Sequence, residues 1–245
     1  MDYLVEFLKS QRATGGKAFI TGLESHVSYS TYNRALKISL KSNSPKLSQR
    51  QLRLQDLAKE NNYQFNSRVV WDTVYLKTFK FFEIRPIERK YNCLRGMFNE
   101  SGASWEIADV TFNEGQAFTA ETFNTTLMVV KLNKTIPNFT MEKEGVLDII
   151  FDKVMPFKGY KDIDFEMYPD FSKKFLLLGS NEQEIRSIFT EKIIRFFEKN
   201  QTYHIESNGE ALLLFNKIKL ARTDETVAFI DYGKELVKLL NNKTP

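Results

Sequence analysis

Residues 159–209 read GYKDIDFEMYPDFSKKFLLLGSNEQEIRSIFTEKIIRFFEKNQTYHIESNG, and the parsing of this stretch decides the fold. Asp162, Asp164 and Glu166 alternate with Ile163 and Phe165, the period of a half-buried strand. KKFLLLG reads as a second, more buried strand. Asn181 is placed to cap a helix with Glu184 at its third position. Ile185, Ile188, Phe189, Ile193, Phe196 and Phe197 would form that helix's apolar face through residue 199. YHIES and ALLLFNK then flank Asn208-Gly209, the strongest hairpin signal in the chain.

Upstream of this stretch, NCLRGMF, SWEIADVTF, FTAETFNTTLMVVKL and NFTMEK are four strand candidates separated by turn residues, most simply an antiparallel meander. A short helix is expected over 145–154. Ser48 caps another through about residue 62, with Gln51 in the capping-box position and Leu52, Leu54 and Leu57 inward. Residues 67–84 fit either a strand pair or a buried helix. Residues 2–9 suggest a short helix, with short strands over 18–23 and 35–40. A last helix over 224–241 would bury Val227, Phe229, Ile230, Leu236, Leu239 and Leu240. Strands in blocks followed by helices indicate α+β, an antiparallel meander sheet covered by helices with a C-terminal helix-hairpin-helix segment. The expected division is a basic extension at 1–54 docked on an α+β domain at 55–245.

Composition narrows the function classes. A hydrophobic fraction of 42%, with 21 Phe and 10 Tyr, supplies a core and excludes global disorder. The single Cys93 allows no internal disulfide and no cysteine metal site, which points to a reducing, cytoplasmic setting. No run of 18 apolar residues spans a membrane. Residues 1–90 hold 16 Lys+Arg against 8 Asp+Glu, and 91–245 hold 19 against 23. Arg34, Lys37, Lys41, Lys46, Arg50 and Arg53 are dispersed, as on a solvated face. The basic N-terminal half is also the part that would meet an anionic inner-membrane surface or nucleic acid.

Chemical motifs are sparse. A strand over 162–166 would place Asp162, Asp164 and Glu166 on one face, and oxygen ligands suit Ca²⁺ or Mg²⁺. The plainer use of such a face is to stay wet and discourage edge-to-edge pairing. Gly15-Gly16-Lys17 fails as a phosphate loop, because Gln11 and Ala18 stand at motif positions. His26 and His204 read as structural histidines. Cys93 lacks the flanks of a nucleophile, and Arg95-Gly96 marks a strand bulge or close backbone approach rather than an anion site. Trp105, Phe112 and Phe118 near Lys131 and Lys134 read as core packing rather than a nucleic-acid stacking surface. No catalytic residue and no cofactor is assigned.

LAKENNYQF at 57–65, RKYNCLRGMF at 89–98, IPNFTMEKEGVLDII at 136–150 and the 159–209 stretch together carry a resemblance. The chain resembles an uncharacterised family of bacterial proteins that join a short N-terminal membrane helix to an α+β domain with a GYxDIDFExxPxFSxxYLLxG-type motif. The resemblance covers about residues 55–241. It implies a fold and a bacterial origin but no reaction. Residues 1–50 stand where the family has its membrane helix, which sets this chain apart. The functional expectation is a non-catalytic protein-interaction or scaffold module with a protein partner. The alternatives are an enzyme or divalent-metal binder using the acidic 162–166 face, and peripheral binding to an anionic membrane or nucleic acid.

Overall fold

Residues Thr125–Val130 are buried on both sides of their strand, so two layers must cover the sheet that contains them. The computed structural model describes residues 47–70, 73–114, 121–143, 159–216 and 218–241. All belong to one compact unit, Leu47–Pro245. The expectations for 2–9, 18–23, 35–40 and 145–154, and the docking of the N-terminal extension, lie outside the described residues.

The helices are α1 (Gln49–Glu60), α2 (Lys80–Glu83), α3 (Pro169–Lys174), α4 (Glu182–Ile188), α5 (Glu191–Lys199) and α6 (Thr223–Asn241). The strands are β1 (Gln64–Asn66), β2 (Ile87–Phe98), β3 (Ala103–Glu114), β4 (Glu121–Lys131), β5 (Phe139–Lys143), β6 (Lys161–Asp162), β7 (Phe175–Gly179), β8 (His204–Ser207) and β9 (Ala211–Phe215). They form one antiparallel sheet, in the order β1-β2-β3-β4-β9-β8-β5-β7-β6 among the described residues. The architecture is α+β, as the block pattern implied.

Strands β2, β3 and β4 run as a meander, but β5 does not join β4 directly. The hairpin β8–β9 lies between them. The chain leaving β4 crosses that hairpin's turn, where Leu132 N–H donates to the Glu210 carbonyl and Ile136 N–H to that of Gly209, both at 2.9 Å. It therefore arrives on the far edge of β8. Gly209 at φ +95° supplies the left-handed residue that the tight turn requires.

The pleat sorts the two cores. Met128, Val130, Leu212, Leu214, Ile205, Met141 and Leu177 face a first core covered by α1 and α3–α6. Leu127, Val129, Leu213, Phe215, Val110 and Phe112 face a second, covered by Leu76, Phe79, Phe81 and Phe82. Among its described residues, the 67–84 segment is thus neither a strand pair nor one continuous buried helix. It is a bridge at Val70, a 3-10 turn over Val74–Thr78 and the single turn of α2. Phe79 is extended (φ −93°, ψ 140°) between the last two, which lets aromatics on both sides reach the sheet.

Other expectations need correction. The Ser48 capping box is present, but Leu52 is exposed, because Leu54, Leu57 and Ala58 set the inward face of α1. Val227 is likewise exposed: the buried set on α6 runs Thr226, Phe229, Ile230, Tyr232, Gly233, Leu236, Val237 and Leu240. The single helix expected over 181–199 is two, because Thr190 is extended (φ −65°, ψ 165°) and begins α5 with Glu191 in its first turn. The strand expected over 162–166 stops at Asp162. Its burial still alternates, with Ile163 and Phe165 inside, but the Phe165 N–H donates to Ser172 Oγ at 2.7 Å instead of to a strand.

Candidate functional site

Strands β5 and β8 each place two polar residues on the second face of the sheet: Thr140 and Glu142 on one, His204 and Glu206 on the other. The pleat brings three of them together. His204 Nδ1 is 2.5 Å from Glu142 Oε2 and Nε2 is 2.8 Å from Glu206 Oε1, while the ring stacks on Phe215 at 4.4 Å. Burial alone would lower the histidine pKa. The hydrogen bonds and charges of both glutamates outweigh it and raise the value to about 9. At neutral pH His204 is an imidazolium that donates from both nitrogens. Glu206 Oε1 also accepts the Phe81 N–H at 2.8 Å, which ties the helical cover to the sheet. The cluster is a buried brace, in line with the structural histidine expected from sequence. Glu142 and Glu206 were missed as its partners. Their signal was present as polar residues at period two within otherwise apolar strands.

A second polar cluster joins α1 to the sheet. Arg50 grips Asp109 with two bonds, Nε to Oδ2 at 2.8 Å and Nη2 to Oδ1 at 2.7 Å. Arg50 Nη1 also donates to the Ala221 carbonyl. Asn92 and Thr126 donate to the same carboxylate at 2.8 and 2.6 Å, and Gln51 holds Asn92 at 3.0 Å. Arg50, named in sequence among the dispersed cations, therefore serves the interior. Arg53 is exposed; Arg34, Lys37, Lys41 and Lys46 lie outside the described residues.

An open cleft of about 810 Å³ lies on the second face, over β2, β3 and β4 beside the 3-10 turn. Glu106 lies in its wall and is held by Lys90 Nζ at 2.7 Å and Arg95 Nε at 2.6 Å. Lys131 stands 5.4 Å from the Tyr75 ring centre and has no carboxylate partner among the described residues. Met97 in the lining is 60% exposed, and Val74, between the lining residues Thr73 and Tyr75, is 75% exposed. A smaller cleft of about 340 Å³ shares Tyr75 and Lys131 and continues past Lys134. Gly96 permits the close approach anticipated there, because a Cβ at that position would lie 2.4 Å from the Trp105 indole. The indole N–H of Trp105 has no acceptor among the described residues.

The remaining candidates are scattered. Asp162, Asp164 and Glu166 are all exposed; partial burial, then the Asp164 charge, raises the pKa of Asp162. Among the described residues no three His, Cys, Asp or Glu side chains are arranged to hold a metal ion. Cys93 is buried, and burial first, with the Glu106 charge, pushes its thiol to about 11. Trp105 and Phe112 point into opposite cores, as packing residues do. His26, the Gly15–Lys17 segment and Phe118 lie outside the described residues.

No described helix is long and apolar enough to cross a membrane. No protein-family model matches the chain, and no curated protein matches it in sequence. Among solved structures it is similar to the mycobacterial trehalose monomycolate transport factor A, TtfA, with a TM-score of 0.54 and 10% sequence identity. The match covers 80% of this chain and 98% of that one. At this identity the likeness shows a shared fold.

Proposed function

We propose that this chain is a non-catalytic interaction module that engages a partner protein through the cleft over β2–β4. The observation that carries the reading is the cleft itself, a concavity of about 810 Å³ with the exposed Met97 and the ring of Tyr75 in its lining. Exposed apolar residues beside polar ones are the composition of a surface that another protein covers. The buried ionisable clusters support the same reading, because Glu142, His204, Glu206, Arg50 and Asp109 are spent on bracing the sheet and its covers. That a protein of like fold is called a transport factor supports an accessory role. With this reading goes membership of the uncharacterised bacterial family named above, and work in the cytoplasm or at the inner face of the inner membrane.

The test is affinity purification of the full chain from its native cells beside a Met97→Asp variant. A partner protein recovered with the wild type and depleted about tenfold with the variant is expected. Equal recovery by two chains that melt alike would remove the cleft from the reading.

A further inference from the structure

We propose that the occupant of this cleft is an acidic segment of the partner protein, whose carboxylates meet Arg95 and Lys131 and whose apolar side chains cover Tyr75 and Met97. The inference rests on the interaction reading and adds the partner's chemistry. The lining carries three cations, Lys90, Arg95 and Lys131, against one carboxylate, Glu106. That carboxylate is already occupied by both Lys90 and Arg95. The wall therefore keeps a surplus of positive charge and of hydrogen-bond donors. Arg95 is 45% exposed and its Nη1 is unbonded among the described residues, and Lys131 lacks a carboxylate partner among them. A planar guanidinium held by its Nε edge on Glu106 is pre-set to receive a second carboxylate, since the first fixes its orientation without using all its donors. The size fits a short peptide run. The second cleft, where Lys131 and Lys134 stand against one carboxylate, Glu210, shares Tyr75 and Lys131 with the first and lengthens the track. The exposed Met97 in the lining favours a peptide over a nucleic-acid backbone, which has no apolar side chain to set against it.

A random-peptide phage library panned on the full chain tests this directly, since such a library needs no identified partner. The enriched peptides should carry net negative charge with interspersed apolar residues. Synthesised and labelled, they should bind the wild type in fluorescence anisotropy, and weaken as salt rises. Arg95→Gln and Lys131→Glu should each weaken binding about tenfold or more while the melting temperature stays near that of the wild type. Enrichment of basic or neutral peptides, no enrichment, or binding indifferent to both variants would overturn the proposal. Tighter binding of a single-stranded oligonucleotide than of any enriched peptide, lost in the same variants, would overturn it too. Recovery of a Met97-dependent but non-acidic partner from cells would sink the acidic specificity alone and leave the interaction module standing.

Discussion

Burying a histidine normally drives the proton off it, because a low-dielectric interior favours the neutral ring. His204 departs from this because two carboxylates flank it at hydrogen-bond distance, which lifts its pKa from 6.5 to about 9. The sign of the pH effect follows. A folded pKa above the unfolded one stabilises the fold fully below about pH 6.5, and that contribution fades as pH climbs through 9. Urea unfolding should therefore show stability falling between those limits, by up to about 3 kcal/mol. In His204→Gln the slope should vanish. The variant should also lose about 3–5 kcal/mol near pH 7, because Glu142 and Glu206 would be left facing each other without a cation. A wild-type stability that stays flat across the window would mean that His204 is neutral in the fold. None of this was legible from His204 alone, since Glu142 lies 62 positions away and only strand pairing brings it near.

At the scale of elements, the 182–199 region shows how far pattern reading reaches. The apolar spacing identified the buried face correctly at Ile185, Phe189, Ile193 and Phe197. It could not reveal that Thr190 ends one helix and begins another, because the i, i+4 spacing survives the break. The break changes which phenylalanine matters. Phe197 is 2% exposed and meets Phe171, Phe175 and Phe189, whereas Phe196 is only half-buried, against Tyr232. Phe197→Ala should cost about 3–5 kcal/mol and Phe196→Ala clearly less, about 1–2 kcal/mol, in denaturant melts. A larger loss at Phe196 would place the core on the wrong side of α5. The capping box at Ser48 and the turn at Asn208-Gly209 were readable because their physics is local. The insertion of β8–β9 between β4 and β5 was not, because order within a sheet is set by long-range pairing. The cleft was invisible for the same reason: Lys90, Arg95 and Glu106 converge only through the β2–β3 register, in which Arg95 pairs with Glu106.

The unit from Leu47 onward hangs two cores on one sheet, so its cooperativity depends on how firmly the covers are tied to the strands. On the second face that tie is the Phe81 amide on Glu206. On the first it is Arg50, which links α1 to Asp109 of β3 and to the Ala221 carbonyl just before α6. Asp109 is 1% exposed and accepts from Arg50, Asn92 and Thr126, so its loss strands three donors at once. Removing one member of a buried ion pair leaves the other charge desolvated without compensation. Asp109→Ala should therefore cost about 3–5 kcal/mol in urea unfolding, and Arg50→Met a similar amount, because it leaves the buried carboxylate with only the neutral donors Asn92 and Thr126. The wider consequence separates a local contact from a tie between layers. In Asp109→Ala, hydrogen exchange should speed up along α1 and the start of α6 before it does in β4 and β9, whose amides sit at the centre of the sheet. Uniform acceleration at every amide would show instead that the Arg50 cluster stabilises the unit as a whole and does not serve as the specific fastening of α1 and α6.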